Sequence, residues 1–138
     1  MPAELFVDAS AWIALADADD ANHVAAAAVY PNLLKAYRRL VTTNLVIAEA
    51  YILIRRELGH KAAMTFLNRL KLSPRIEKVY ADAELETQAE EWLQRYDDQL
   101  FSYADAVSFA LMQRRGITEA FAFDKHFVVA GFTRIPAG

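Results

Sequence analysis

Four carboxylates stand out by their positions along the chain: Asp8, Glu49, Asp105 and Asp124. Asp8 closes the apolar run Leu5-Phe6-Val7, and Asp124 closes Phe121-Ala122-Phe123. Asp105 lies three residues after Ser102, at the start of an apolar segment. Glu49 interrupts the stretch from Leu45 to Ile54, which is apolar around the whole circumference of a helix. An unpaired carboxylate in such surroundings is costly. Arg55 and Arg56 have the wrong helical spacing to pair with it. Two like charges about 4 Å apart repel by about 4 kcal/mol at an effective dielectric of about 20, so a cluster of these acids needs a counter-ion. Oxygen donors with no cysteine and no well-placed histidine select magnesium or manganese over zinc. Such an ion lowers the pKa of a bound water, polarises a phosphate oxygen and stabilises a leaving oxygen, which is the chemistry of phosphodiester hydrolysis.

Local alternatives exist for three of the four. Asp8 can cap a helix or close a turn. Ser102-Tyr103-Ala104-Asp105 fits a capping box, in which the acid bonds back to the cap's own amide. Asp124 can be an ordinary loop acid after a strand. Glu49 has no comparable explanation.

The elements that must position these acids can be read from pattern and punctuation. Glu4 to Val7 is expected as a short buried strand, followed by a helix through Trp12, Ile13 and Leu15 that Ser10 can cap. The acidic stretch Asp17 to Asp20 marks a loop, and Pro31 is expected to start or kink a helix in the alanine-rich segment after it. Leu40 to Thr43 reads as a second strand, with Asn44 capping a helix that ends near Gly59. A helix over Lys61 to Leu72 and a third strand over Arg75 to Tyr80 follow. Leu85, Ala89, Trp92, Leu93 and Tyr96 recur at helical spacing. Ser102 begins a further helix that stops at Gly116, Glu119 to Phe123 reads as a fourth strand, and Thr133 to Ile135 as a fifth. Strands alternating with helices predict a single α/β domain over residues 1–138: a three-layer α/β/α arrangement around a parallel sheet of four to five strands. In such a sheet ligands bind beyond the carboxyl ends of the strands, the edge at which Asp8 and Asp124 would stand.

With 15 basic and 18 acidic side chains the net charge is −3, against the usual sign for a nucleic-acid binder. Without the four candidate acids the balance becomes 15 basic to 14 acidic, and a bound divalent ion turns the site attractive to phosphate. The chain has no cysteine, which excludes a disulfide framework and suits a cytoplasmic setting. No signal peptide or membrane-spanning run is expected.

Aligned on these strands, the chain resembles the PIN-domain nucleases, and within them the VapC-type toxins of bacterial and archaeal toxin–antitoxin pairs. The resemblance rests on Val7-Asp8-Ala9-Ser10, on Thr43-Asn44-Leu45-Val46-Ile47-Ala48-Glu49, on Leu100-Phe101-Ser102-Tyr103-Ala104-Asp105-Ala106, and on Phe123-Asp124-Lys125-His126-Phe127 with Gly131-Phe132. It implies a Mg2+- or Mn2+-dependent endoribonuclease that acts on RNA, forms a homodimer and is held in check by a cognate antitoxin protein. Asp8, Glu49, Asp105 and Asp124 would be its catalytic metal ligands, with Ser10 and Ser102 as supporting hydroxyls. The chain departs from the family pattern at Ala122, where relatives often carry a hydroxyl that supports the last acid.

Other residues carry weaker expectations. Arg38-Arg39, Arg55-Arg56 and Arg114-Arg115 read as ends of helices, complementing the helix dipole or lining a path for RNA, with Lys125 and Arg75 as further candidates. His126 closely follows Asp124 and could assist catalysis, with a surface or family-typical packing role as the stronger expectation. Trp92 and Tyr96 fall on a core stripe. A catalytically weak RNA-binding or interaction module of the same fold is the alternative function. A response-regulator receiver is excluded because its acceptor acid would fall at Val79-Tyr80-Ala81, and an Asp-x-Asp phosphatase because Ser10 stands two after Asp8.

Overall fold

Both faces of the central strands are apolar, and the architecture follows from that. In the computed structural model, which describes residues 3–137, strand β1 (Glu4–Val7) buries Leu5, Phe6 and Val7 completely. A strand with successive residues buried must have a layer on each side. Phe6 packs against Phe127, 6.1 Å between ring centroids, whereas Phe121 on the neighbouring strand stacks on Tyr30 at 6.1 Å. Phe6 is opposite Ala120 in the register, so Phe121 points to the other face.

The elements run in order as β1, α1 (Ala9–Ala16), α2 (His23–Ala36), β2 (Arg39–Thr43), α3 (Asn44–Leu58), α4 (His60–Leu72), β3 (Ile76–Val79), α5 (Ala83–Arg95), α6 (Tyr103–Arg115), β4 (Glu119–Phe121), α7 (His126–Val129) and β5 (Thr133–Ile135). The five strands form one parallel sheet in the order β3-β2-β1-β4-β5. The chain leaves β1 toward β2 and β3, then crosses back to β4 on the other flank of β1. That reversal sets the carboxyl ends of β1 and β4 side by side, the place where sheets of this kind bind ligands. Helix α6 is buried from Asp105 to Met112, which makes it the central helix of its layer.

Several local expectations are corrected. Asp8, not Ser10, is the N-cap of α1. Thr43 caps α3 through Val46 N–H, and the Asn44 side chain instead accepts from Ala81 N–H at 2.9 Å, tying α3 to the end of β3. Pro31 lies inside α2 without ending it. Its missing N–H would have served the carbonyl of Ala27, which is exposed and reachable by water. Strand β4 ends at Phe121, so Asp124 stands in a turn rather than directly at the strand end, and α7 follows that turn.

The arginines are also reassigned. Arg39 belongs to β2, and with Arg115 it pairs with Glu77 and Glu4. The Arg75 guanidinium donates to the carbonyls of Leu34, Tyr37 and Arg38 where α2 ends. These groups sit at the amino ends of the strands, the edge opposite Asp8, and tie the fold together there. Trp92 is buried and stacks on Tyr96 at 5.5 Å, as the helical stripe requires. No helix among the described residues is long and apolar enough to cross a membrane.

Candidate active site

Asp8 leaves β1 in an extended conformation (φ −87°, ψ 162°) and turns its carboxylate to the first amides of α1. Its Oδ2 accepts from Ser10 N–H at 3.2 Å and from the Ser10 hydroxyl at 2.7 Å. Nearby, buried Thr42 donates its hydroxyl to Val7 O at 3.0 Å and fixes the end of β1 against β2. Asp8 is only 4% exposed. Burial pushes its carboxyl up to about 7; the Ser10 hydroxyl opposes the shift and the charge of Asp105 adds to it.

Asp105 is held in the first turn of α6 by a capping box: its amide donates to Ser102 Oγ at 2.9 Å, and its Oδ2 accepts from Ser102 N–H at 3.0 Å. The capping-box reading is therefore correct, yet it does not exclude a place in the cluster, because the same Oδ2 faces His126 Nδ1 at 3.1 Å. Asp124 accepts from His126 N–H at 2.9 Å and lies 3.4 Å from the same ring nitrogen. This backbone amide orients the Asp124 carboxylate.

Glu49 projects from the second turn of α3 and is half-buried. Its carboxyl is raised by burial first, then by the charges of Asp105 and Asp124. Among the described residues neither Glu49 nor Asp8 forms a salt bridge, and those of Asp105 and Asp124 are to the His126 ring. Ile52 and Ala48, one on either side of Glu49 along α3, are exposed, so the helix is not buried all round as its sequence suggests.

The tightest group is Asp105, Asp124 and His126, whose ligand-type atoms lie within 4.8 Å of one another. Asp8 and Glu49 are not part of that group and bear on it through charge, with Asp105 the acid common to both. Ser10 joins the two halves: its Oγ accepts from Phe123 N–H at 3.0 Å while donating to Asp8. His126 is the residue that sequence reasoning undervalued. Its only local signal is the spacing Asp124-x-His126, which does not say where the ring points. The site fits a hard divalent cation because these mutually repelling carboxylates, Asp8 and Asp105 among them buried, pair with no lysine or arginine among the described residues.

A PIN domain profile matches residues 5–132. The chain belongs to the PIN domain family. It is 42% identical over 132 residues to the 23S rRNA-specific endonuclease VapC20 of Mycobacterium tuberculosis, in both the CDC 1551 / Oshkosh and H37Rv strains, covering 95% of this chain and 97% of the relative. The crystal structure of Mycobacterium tuberculosis VapC20, described as a sarcin–ricin loop cleaving toxin, superposes with a TM-score of 0.86 at 39% identity, covering 94% of this chain and 96% of that one. The parallel sheet and flanking helices are those of a PIN domain at nearly full length.

Proposed function

We propose that this PIN domain is a divalent-metal-dependent endoribonuclease and the toxin of a toxin–antitoxin pair, with Asp8, Glu49, Asp105 and Asp124 as the acids that hold Mg2+ or Mn2+. The observation that carries the reading is the approach of acids from four segments at one sheet edge with no lysine or arginine paired to them among the described residues, in a chain similar over nearly its full length to a ribosomal-RNA endonuclease. A structured loop of 23S rRNA is accordingly the substrate to test first.

When bound, the cation would supply an activated water and neutralise charge on the scissile phosphate. The protein groups prepare for this. The Ser102 N–H and hydroxyl fix Asp105 through the capping box, Ser10 holds Asp8 against the Phe123 turn, and the His126 amide fixes Asp124. Burial of Asp8 and Asp105 keeps water from screening the cluster, which strengthens its attraction for a small cation.

An antitoxin protein, a homodimeric state and a cytoplasmic setting belong to the same proposal. Exposed Val24, Ile52, Leu72 and Leu100 offer apolar surface for protein contacts. Light scattering measures the copy number.

The test is cleavage of a 23S rRNA fragment by the purified protein with Mn2+, with EDTA, and after Asp105→Asn. The expected result is cleavage in the first case alone. Cleavage by Asp105→Asn at the wild-type rate overturns the assignment. Manganese binding seen by calorimetry without any cleavage favours the catalytically weak RNA-binding module.

A further inference from the structure

We propose that His126 is itself a ligand of the cation, through Nδ1, making the site a mixed carboxylate–imidazole centre that favours manganese over magnesium. The inference rests on the metal-dependent reading above and concerns which atoms complete the coordination.

The geometry of the ring is the first argument. Nδ1 of His126 lies 3.1 Å from Asp105 Oδ2 and 3.4 Å from Asp124 Oδ1. Adjacent ligands of an octahedral ion at about 2.1 Å are separated by about 3.0 Å. The ring nitrogen therefore already stands near the spacing of a neighbouring ligand from each of the two acids, and one oxygen or nitrogen from each of the three residues falls within 4.8 Å of the others.

The fixation of the ring is the second. Asp124 accepts the His126 amide, so both side chains project from one turn. The imidazole is only 20% exposed and meets the edge or face of Phe101 in a T-shaped contact at 5.1 Å. The next residue, Phe127, is fully buried against Phe6 and Phe109 and anchors α7. A ring so confined keeps Nδ1 turned toward the two acids.

A hydrogen bond from Nδ1–H to Asp105 explains the same contact without a metal, but Asp105 already has its orientation from the capping box. The two roles differ in chemistry. Imidazole nitrogen suits transition ions, whereas magnesium demands oxygen donors and keeps its waters. Loss of a ligand nitrogen should therefore weaken manganese much more than magnesium. Loss of a ring that only orients Asp105 should weaken both alike.

The experiment is pulsed electron paramagnetic resonance of the full-length protein loaded with Mn2+, together with calorimetric titration of Mn2+ and Mg2+. Wild type should show nitrogen modulation from a coordinated imidazole, changing to the 15N pattern when the protein is grown with 15N-histidine. His126→Asn, which keeps an amide donor for Asp105, should lose that signal and weaken Mn2+ by about ten-fold or more while Mg2+ changes far less. The labelled wild type tests the point even if the variant folds poorly. Bound Mn2+ with no nitrogen modulation, or modulation that survives His126→Asn, overturns the proposal and leaves the metal-dependent reading standing. Failure of wild type to bind Mn2+ at all overturns both.

Discussion

Ser10 Oγ accepts the backbone N–H of Phe123 at 3.0 Å, a contact between residues 113 positions apart. The same oxygen donates to Asp8 at 2.7 Å. One hydroxyl thereby fixes the first acid and the turn that carries the last. Ser10→Ala leaves the Phe123 amide without its partner and should cost about 1–3 kcal/mol of stability. Urea titration measures that loss, and the variant's cleavage rate should fall even at saturating Mn2+. Unchanged stability and rate would show the contact to be dispensable.

Asp8 makes metal-free stability depend on pH. Its carboxyl is raised to about 7 in the folded protein from 3.8, so between these values the native state holds a proton that the unfolded state has released. The stabilisation is fully present below about pH 4 and is lost as pH rises through about 7, on the order of 4 kcal/mol for the isolated group. Denaturation in EDTA should therefore show falling stability from pH 5 to pH 8, and Asp8→Asn should flatten that slope. A slope unchanged by Asp8→Asn would assign the pH dependence elsewhere.

Glu49 has no ion-pair partner among the described residues, and its carboxyl is raised by burial first, then by the charges of Asp105 and Asp124. Glu49→Gln should leave metal-free stability equal or higher, since repulsion is relieved. Cleavage should drop by about a hundred-fold or more, as for loss of a group that holds or orients a metal. Thermal melts in EDTA and single-turnover cleavage check the two halves separately.

Asp105 separates structural from chemical roles by choice of substituent. Asp105→Asn retains an oxygen acceptor for Ser102 N–H, whereas Asp105→Ala breaks the capping box and should cost about 1 kcal/mol more. Both should be inactive. Equal melting temperatures for the two would contradict the capping contribution.

Arg75 tests the opposite edge. Its guanidinium serves three carbonyls where α2 ends, so Arg75→Ala should destabilise by about 1–3 kcal/mol. RNA cleavage at saturating substrate should stay at the wild-type rate. A large rise in KM with unchanged stability would instead assign Arg75 to the RNA path.

Much of this protein is local in origin and was legible in the residues alone. Apolar runs bounded by capping groups gave the strands and helices, because hydrophobic period and cap chemistry act over a few residues. Ser102 and Gly116 bound α6 as expected, the glycine adopting φ 68° where a side chain would be strained. The four acids and the expectation of one catalytic edge came from the same local reading.

The rest required the tertiary structure. The order β3-β2-β1-β4-β5 sets β1 beside β4 and so brings the Asp8 and Asp124 turns together, a matter of long-range pairing that no short window encodes. The turn after β4 is tied to α1 by the Phe123 amide on Ser10, and the His126 ring is set between Phe101 and Asp105. The fates of Arg39, Arg75 and Arg115 were likewise decided by partners distant in sequence. Residue types and their spacing determine what chemistry is available to the chain. Only the packing of distant segments decides which groups face one another and how far from water they stand, because burial and charge proximity are properties of space and not of sequence.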